Sequence, residues 1–134
     1  MVLVDTSVWV DYLRGNTTRQ VGALKELLPG DQIVGIAPII LQEILQGADS
    51  DERFEKWRKY FSGLCCYSPV DPVASHVAAA RLYQDCRRAG KTPRSSNDCL
   101  IARIAIEHGL VLLQDDRDFA AIASVAPELR LYPV

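Results

Sequence analysis

The sequence is poor in the residues that build zinc sites and disulfide frameworks. It contains two histidines and four cysteines, and no two cysteines are spaced as C-x-x-C. This pattern argues against a zinc centre and against a disulfide-stapled secreted protein. We therefore expect the cysteines to be small buried apolar side chains in a reducing cytosol.

The sequence also lacks an excess of positive charge and any long apolar run. The sequence has 15 Lys and Arg residues and 17 Asp and Glu residues, for a net charge of −2. The overall composition therefore gives no indication of nucleic-acid binding. No uncharged stretch approaches the ~20 residues of a membrane helix, and the N-terminus lacks the features of a signal peptide. We expect a cytoplasmic protein that does not contact membranes.

The pattern that remains is typical of an α/β protein. With no repeat and no long linker, residues 1–134 are expected to form a single domain. Val2–Val4 and residues 110–113 are apolar without alternation, as in parallel strands buried on both faces, and the first should be central. The alternation of strands and helices predicts a three-layer α/β/α sandwich with a mostly parallel central sheet.

Capping and periodicity signals give the expected elements. The first helix is capped by Thr6 or Ser7 and ends at Gly15. Further helices are expected at 18–28, 39–45, 51–64, 72–88, 96–108 and 117–125, and further strands at 33–36, 64–67 and 129–132.

Two carboxylates follow buried strands. Asp5 comes directly after the first strand, and Asp116 follows the strand at 110–113. Because parallel strands bring their carboxyl ends to one edge of the sheet, both side chains should face one crevice. Either residue could instead do no more than cap the helix after it.

Two further carboxylates lie on helix faces that should be buried. Glu43 follows Ile39 and Ile40 by four and three residues, which places it on their inward stripe. Asp98 precedes Ile101 by three residues, near the start of an apolar face. At an effective dielectric of about 20, two carboxylates ~5 Å apart repel by roughly 3 kcal/mol. A divalent cation is the natural counter-charge, and oxygen ligands favour Mg²⁺, with Mn²⁺ as a substitute.

Four segments resemble the acidic motifs of PIN domains, and more narrowly those of the VapC toxins of type II toxin–antitoxin modules. They span residues 2 to about 120 in the order of the family. The segments are VLVDTSVW at 2–9, LQEILQG at 41–47, SNDCLIA at 96–102 and LLQDDRDF at 112–119.

The resemblance implies a metal-dependent endoribonuclease that leaves 5′-phosphate and 3′-hydroxyl ends, with tRNA a plausible substrate. It also implies a homodimer silenced by a cognate VapB-like antitoxin. In such an enzyme a Mg²⁺ ion neutralises a phosphate oxygen and lowers the pKa of its bound water, so no basic side chain is needed at the reacting centre. The implied catalytic residues are Asp5, Glu43, Asp98 and Asp116, with Asp5, Asp98 and Asp116 as metal ligands and Glu43 orienting or deprotonating the attacking water.

The last motif departs from the family pattern. Gln114 and Asp115 stand where many relatives have Thr or Ser and then Asn, so Asp115 competes with Asp116 for the fourth acidic position. We prefer Asp116 because it keeps the D-x-D-F phase. Ser7 and Asp118 are auxiliary candidates, whose simpler roles are to cap or join helices.

A group of cations could hold RNA. Six Lys and Arg residues fall between positions 81 and 103, and the phosphate-binding candidates among them are Arg87, Arg88, Lys91 and Arg94. Arg87 and Arg88 would also stabilise the C-terminal end of a helix through its dipole, whether or not they bind RNA.

Two helices carry more large apolar side chains than a core of this size should hold. These side chains are chiefly core candidates, but their excess predicts an exposed strip, where we would place the antitoxin. The residues concerned are Trp9, Tyr12 and Leu13 on one helix and Phe54, Trp57 and Phe61 on the other.

Two other functions remain open. A PIN-like scaffold could bind RNA or protein without cutting it. A receiver-like phosphoacceptor domain also has an acidic crevice, but it needs a lysine at a late strand end, and the four lysines of this sequence lie on predicted helices or loops.

Overall fold

In the computed structural model, which describes residues 1–31 and 33–134, the chain forms a five-stranded sheet with all neighbouring strands parallel. The strand order is β3-β2-β1-β4-β5. The strands are β1 (Val2–Val4), β2 (Val34–Ile36), β3 (Cys65–Cys66), β4 (Val111–Leu113) and β5 (Arg130–Leu131).

The helices form two groups. Helices α1 to α4 contact one another, as do α5 to α7, and right-handed crossovers put the two groups on opposite faces of the sheet. The predicted three-layer sandwich is confirmed. No helix of the described residues is long and apolar enough to cross a bilayer. The helices are α1 (Thr6–Leu13), α2 (Arg19–Leu27), α3 (Pro38–Leu45), α4 (Asp51–Phe61), α5 (Pro72–Arg88), α6 (Ser96–Glu107) and α7 (Arg117–Val125).

Strand β1 is the central strand, as its apolar sequence predicts. All three of its residues are buried, and it pairs with β2 on one side and β4 on the other. The backbone N–H of Asp5 continues the ladder by donating to the carbonyl of Leu113 at 2.9 Å. The chain winds outward in opposite directions from β1 and β4, so their carboxyl ends flank the switch point where such folds bind ligands.

The predicted elements all occur, but several ends differ. The first helix is capped by Asp5, whose carboxylate accepts from the N–H of Ser7, and not by Thr6 or Ser7. Helix α4 stops at Phe61, three residues before its predicted end, because the chain turns toward β3 there. The edge strands β3 and β5 have only two residues each, since each pairs with a single short neighbour.

The aromatic residues of α1 and α4 divide between core and surface. Trp9 is fully buried, with its ring centroid 4.8 Å from that of Phe61. Trp9 is therefore a core residue, as chiefly expected. The further expectation that it contacts an antitoxin is wrong, because the side chain fills the space between the helices. Trp57 is half-buried and Phe54 is exposed, so α4 keeps large apolar side chains at the surface.

The burial of the four cysteines depends on where each one lies in the fold. All are free, and Cys86 and Cys99 are buried as expected. Cys66 is exposed and Cys65 is half-buried, so the expectation that all are buried is wrong for this pair. They form the edge strand β3, which no further strand of the described residues covers.

Candidate metal centre

The carboxyl ends of β1 and β4 open into a cavity of about 300 Å³. The structure brings all four predicted catalytic residues to it, together with Ser7 and Asp118. We call the acidic side chains that line the cavity the carboxylate cluster: Asp5, Glu43, Asp98, Asp116 and Asp118. The remaining lining residues are Thr6, Ser7, Arg94 and Ser95.

Ser7 holds Asp5 and ties together the loops that follow β1 and β4. Its hydroxyl donates to Oδ2 of Asp5 at 2.6 Å, and its backbone N–H donates to the same oxygen at 3.0 Å. The same hydroxyl accepts the backbone N–H of Asp115 at 3.1 Å. The auxiliary role predicted for Ser7 is therefore structurally available, because the residue orients an acidic side chain of the cavity.

Thr6 holds Glu43 in the same manner. Its hydroxyl donates to Oε1 of Glu43 at 2.7 Å and so joins the start of α1 to α3. Sequence reasoning considered Thr6 only as a helix cap and missed this contact. The two residues are 37 positions apart, and only the position of Thr6 next to Asp5 gave any signal.

Asp116 and Asp118 sit at the start of α7, where Arg94 pairs with both. Asp116 caps the helix, with its Oδ1 accepting the N–H of Asp118 at 2.9 Å and Nη2 of Arg94 at 2.7 Å. Oδ2 of Asp118 accepts both Nε and the backbone N–H of Arg94, each at 3.0 Å. Asp118, predicted to be auxiliary, is thus as central to the cavity as Asp116.

These contacts leave one oxygen free on each anchored carboxylate. Asp5, Glu43, Asp116 and Asp118 each use a single oxygen for the bonds described above. Within residues 1–31 and 33–134, no donor bonds the carboxylate of Asp98. Protein donors therefore orient the cluster without occupying it, as outer contacts do around metal ligands.

Burial and the crowding of negative groups both raise the pKa of two members of the carboxylate cluster, Asp98 and Asp5. Burial, followed by the charges of the other four carboxylates, raises the pKa of Asp98 from 3.8 to about 7. Burial and the charge of Glu43 also raise the pKa of Asp5, although the bonds from Ser7 oppose the shift. For Asp118, burial alone would raise the pKa, but the bonds from Arg94 hold it below its ordinary value.

The donor set fits a hard divalent cation. Asp98, Asp116 and Asp118 each offer an oxygen within 4.8 Å of the others, and Asp5 lines the same cavity. No histidine or cysteine is among the described residues that line it. Oxygen donors alone favour Mg²⁺ or Mn²⁺ over zinc, and the shared repulsion of the cluster needs such a counter-charge.

The structure separates the two candidates for the fourth acidic position. Asp116 lines the cavity, whereas the side chain of Asp115 is exposed and is not among the lining residues. The difference arises because Asp115 uses its backbone N–H to reach Ser7, which leaves its side chain on the outside of the turn.

Of the four predicted phosphate-binding cations, only Arg94 reaches the cavity. Arg87 and Arg88 are exposed at the end of α5 and line a separate depression. Lys91 is exposed, and its Nζ donates to the hydroxyl of Ser124 at 2.9 Å. The patch flanks the site, and Arg94 connects the two.

The chain is similar to known proteins over nearly its whole length. Residues 2–125 match the PIN domain family. The chain is 38% identical to Ribonuclease VapC11 of Mycobacterium tuberculosis over 126 residues, which are 93% of each protein. It is 31% identical to Ribonuclease VapC32 of the same organism over 121 residues, covering 90% of this chain and 89% of the relative.

Solved structures share the fold. A structure of VapBC2 from Rickettsia felis, bound to a DNA fragment from its promoter, matches with a TM-score of 0.74 and 21% identity, covering 98% of both chains. At this identity the match bears on the fold alone.

Replacing Asp98 by asparagine should change how the stability of the metal-free protein depends on pH. Between about pH 4 and pH 7 the folded state holds a proton on Asp98 that the unfolded state has released, so wild-type stability falls as pH rises through this window. The amide that replaces the carboxyl group does not titrate. Between pH 4 and pH 8 the free energy of unfolding of the variant should therefore rise relative to that of the wild type by up to about 4 kcal/mol.

Urea unfolding in EDTA at several pH values measures this difference, and contributions from other groups largely cancel between the two proteins. A difference that stays constant with pH would contradict the raised pKa. As a control, Asp115→Asn should show no such trend, because the side chain of Asp115 is exposed.

Proposed function

This chain belongs to the PIN-domain family, and on that premise we propose that it is a VapC-type endoribonuclease, the toxin of a toxin–antitoxin pair, which hydrolyses RNA phosphodiester bonds with Mg²⁺. The ribonuclease assignment is supported by 38% identity to a named VapC ribonuclease across 93% of the chain. The single structural observation that carries it is the carboxylate cluster, with five acidic side chains around one cavity.

The cluster supports a division of roles among its members. We propose Asp5, Asp98 and Asp116 as metal ligands, with Asp118 completing the closely spaced group that it forms with Asp98 and Asp116. Ser7 then acts through Asp5, since its hydroxyl fixes which carboxylate oxygen faces the cavity. Mn²⁺ should replace Mg²⁺, because both accept oxygen ligands.

Glu43 has a different environment and therefore a different proposed role. Its Oε1 is held by Thr6, and its other oxygen is free to accept a proton from a water molecule and orient it toward phosphorus. When bound, the metal supplies charge neutralisation at a phosphate oxygen and lowers the pKa of water. In-line attack by this water would form a new P–O bond while the bond from phosphorus to the 3′ oxygen breaks. The 3′ oxygen takes up a proton, so the products carry a 5′-phosphate and a 3′-hydroxyl.

The exposed cations beside the cavity support RNA as the substrate. Arg87, Arg88 and Lys91 lie on or just after the end of α5, and Arg94 follows on the loop that leads to the cavity. Contacts of this kind hold phosphates without reading sequence. tRNA is a suitable substrate class, because its loops present single strands on a large phosphate surface.

Two further proposals concern organisation. We propose that residues 1–134 form one PIN domain, since buried core residues run from Val2 to Leu129 around a single sheet. We also propose that the protein acts in the cytoplasm, where its RNA substrate is found.

A groove between α1 and α4 supports an antitoxin partner. It has a volume of about 480 Å³ and combines half-buried aromatic surface with two cations, which suits an amphipathic segment with acidic residues. The lining residues are Tyr12, Leu13, Arg53, Lys56, Trp57 and Tyr60. One of the solved structures that share the fold is a toxin–antitoxin complex from Klebsiella pneumoniae.

The opposite helical layer carries a surface that suits a second copy of the chain. Val73 and Val77 in the first turns of α5 are 75% and 65% exposed, and Val70 just before the helix is 70% exposed. A cavity lined by both apolar and polar side chains, among them Ala80, lies further along α5. Exposed apolar side chains that lie close together are a feature of protein–protein contact surfaces. We propose that this surface forms the homodimer interface.

RNA cleavage tests the catalytic proposal. Purified antitoxin-free protein should cut total RNA with Mg²⁺ or Mn²⁺ and not with EDTA, because the cluster needs its counter-charge. Asp98→Asn and Asp116→Asn should each lower the rate at least ~100-fold, equivalent to roughly 3 kcal/mol. Asp115→Asn is the matched control, and we expect its rate to stay within about threefold of wild type.

Cleavage that persists in EDTA, or that survives Asp5→Asn and Asp98→Asn, would rule out the metal mechanism. If the folded protein binds RNA but never cuts it, the non-catalytic scaffold is correct instead. A receiver-like domain is disfavoured, because no lysine is among the described residues that line the cavity.

Antitoxin binding should depend on Trp57. Trp57→Ala removes half-buried aromatic surface from the groove and should weaken binding of the cognate VapB-like antitoxin at least tenfold, as measured by calorimetry. Phe54→Ala is the matched control on the same helix, since Phe54 does not line the groove. Equal losses in both variants, or none in either, would place the antitoxin elsewhere. Trp9→Ala is not a suitable test of antitoxin binding, because removal of this buried side chain would leave a cavity in the core and destabilise the fold.

The dimer should separate when charge is placed on α5. Val77→Glu buries an unpaired carboxylate in the proposed interface and should give a monomer by light scattering after size exclusion. Phe54→Glu adds the same charge on the other helical layer and should leave the dimer intact. A dimer that tolerates Val77→Glu would show that another surface is used.

A further inference from the structure

Arg94 is the only cation among the described residues that line the cavity. Its guanidinium spans two members of the carboxylate cluster, with Nη2 2.7 Å from Oδ1 of Asp116 and Nε 3.0 Å from Oδ2 of Asp118. These two carboxylates belong to the closely spaced group that, with Asp98, fits a divalent cation. The arginine therefore neutralises ligands that a metal would use.

The position of Arg94 allows it to leave. Its side chain is 61% exposed, whereas those of Asp116 and Asp118 are 25% and 10% exposed. It lies on the loop between α5 and α6, outside both helices. Rotation of this side chain toward solvent would break two ion pairs without disturbing the core.

The two carboxylates do not need the guanidinium to keep their orientation. Oδ1 of Asp116 is also bonded by the backbone N–H of Asp118, and Oδ2 of Asp118 is also bonded by the backbone N–H of Arg94. Backbone donors survive any side-chain substitution at position 94, apart from proline. The main effect of removing the guanidinium is thus electrostatic, and it leaves the cluster more negative.

From this geometry we propose that Arg94 is an exchangeable internal counter-cation. It stabilises the metal-free cluster by pairing with Asp116 and Asp118, and it competes with a divalent cation for them. The proposal rests on the proposed function, since it assumes that the cluster binds metal. The site then requires a higher metal concentration for loading than the carboxylates alone would require.

Calorimetric titration of the full, RNA-free chain with Mn²⁺ at pH 8 tests this competition. Arg94→Gln should bind Mn²⁺ at least threefold more tightly than wild type. Arg94→Lys, which keeps the charge but lacks the two-pronged fork, should fall between them. The control Arg14→Gln removes an exposed charge at the far end of α1 and should leave the affinity unchanged.

Thermal unfolding gives a second readout. Metal-free Arg94→Gln should melt below wild type, and saturating Mn²⁺ should narrow the gap. Equal or weaker Mn²⁺ binding by Arg94→Gln would overturn the proposal and make Arg94 a positioning residue.

Asp98→Asn separates this failure from failure of the metal site itself. If Asp98→Asn abolishes Mn²⁺ binding while Arg94→Gln fails to tighten it, only the role of Arg94 is wrong. If the wild type binds no Mn²⁺, or if Asp98→Asn binds Mn²⁺ as well as the wild type does, the proposed metal site and the proposed role of Arg94 are both wrong.

Discussion

The mutual repulsion of five carboxylates around one small cavity is the constraint on which the rest of this structure depends. The fold creates it by placing the carboxyl ends of β1 and β4 side by side at the point where the chain reverses its direction across the sheet. Burial first, and then the charges of the other four carboxylates, raise the pKa of Asp98 to about 7. A protein keeps such an arrangement only where something offsets the charge.

Several features of the fold offset part of the repulsion among the carboxylates before any cation binds. Asp5 caps α1, Asp116 caps α7 and Asp98 lies in the first turn of α6. Three helices therefore direct their positive ends at the cavity, and each such end favours an anion. Hydroxyl and backbone donors add to this while leaving one oxygen free on each anchored carboxylate. Capping and metal binding, which were alternatives for Asp5 in the sequence, are compatible uses of one side chain.

The sequence predicted the layers, the central strand and the acidic residues, because these depend on local patterns. Apolar runs without alternation identify buried parallel strands, and a carboxylate after such a run is already at the ligand-binding edge. What it could not predict depends on contacts between distant segments. The bond from Thr6 to Glu43 and the pairing of Arg94 with Asp118 join residues 37 and 24 positions apart. Trp9 could be assigned to the core or to a partner surface from the sequence, because only its packing against Phe61 of α4 shows that it is enclosed.

The pairing of β1 with β4 also governs when the cavity exists at all. Val2 pairs with Val111, and Asp5 and Asp116 become neighbours only through that ladder. Contacts between such distant segments form late, because closing a long loop costs entropy before the contact can repay it. A growing chain on the ribosome therefore has no assembled acidic centre until almost all of these residues have been made. The order of synthesis therefore delays any nuclease activity until the residues through Asp118 have been added to the chain.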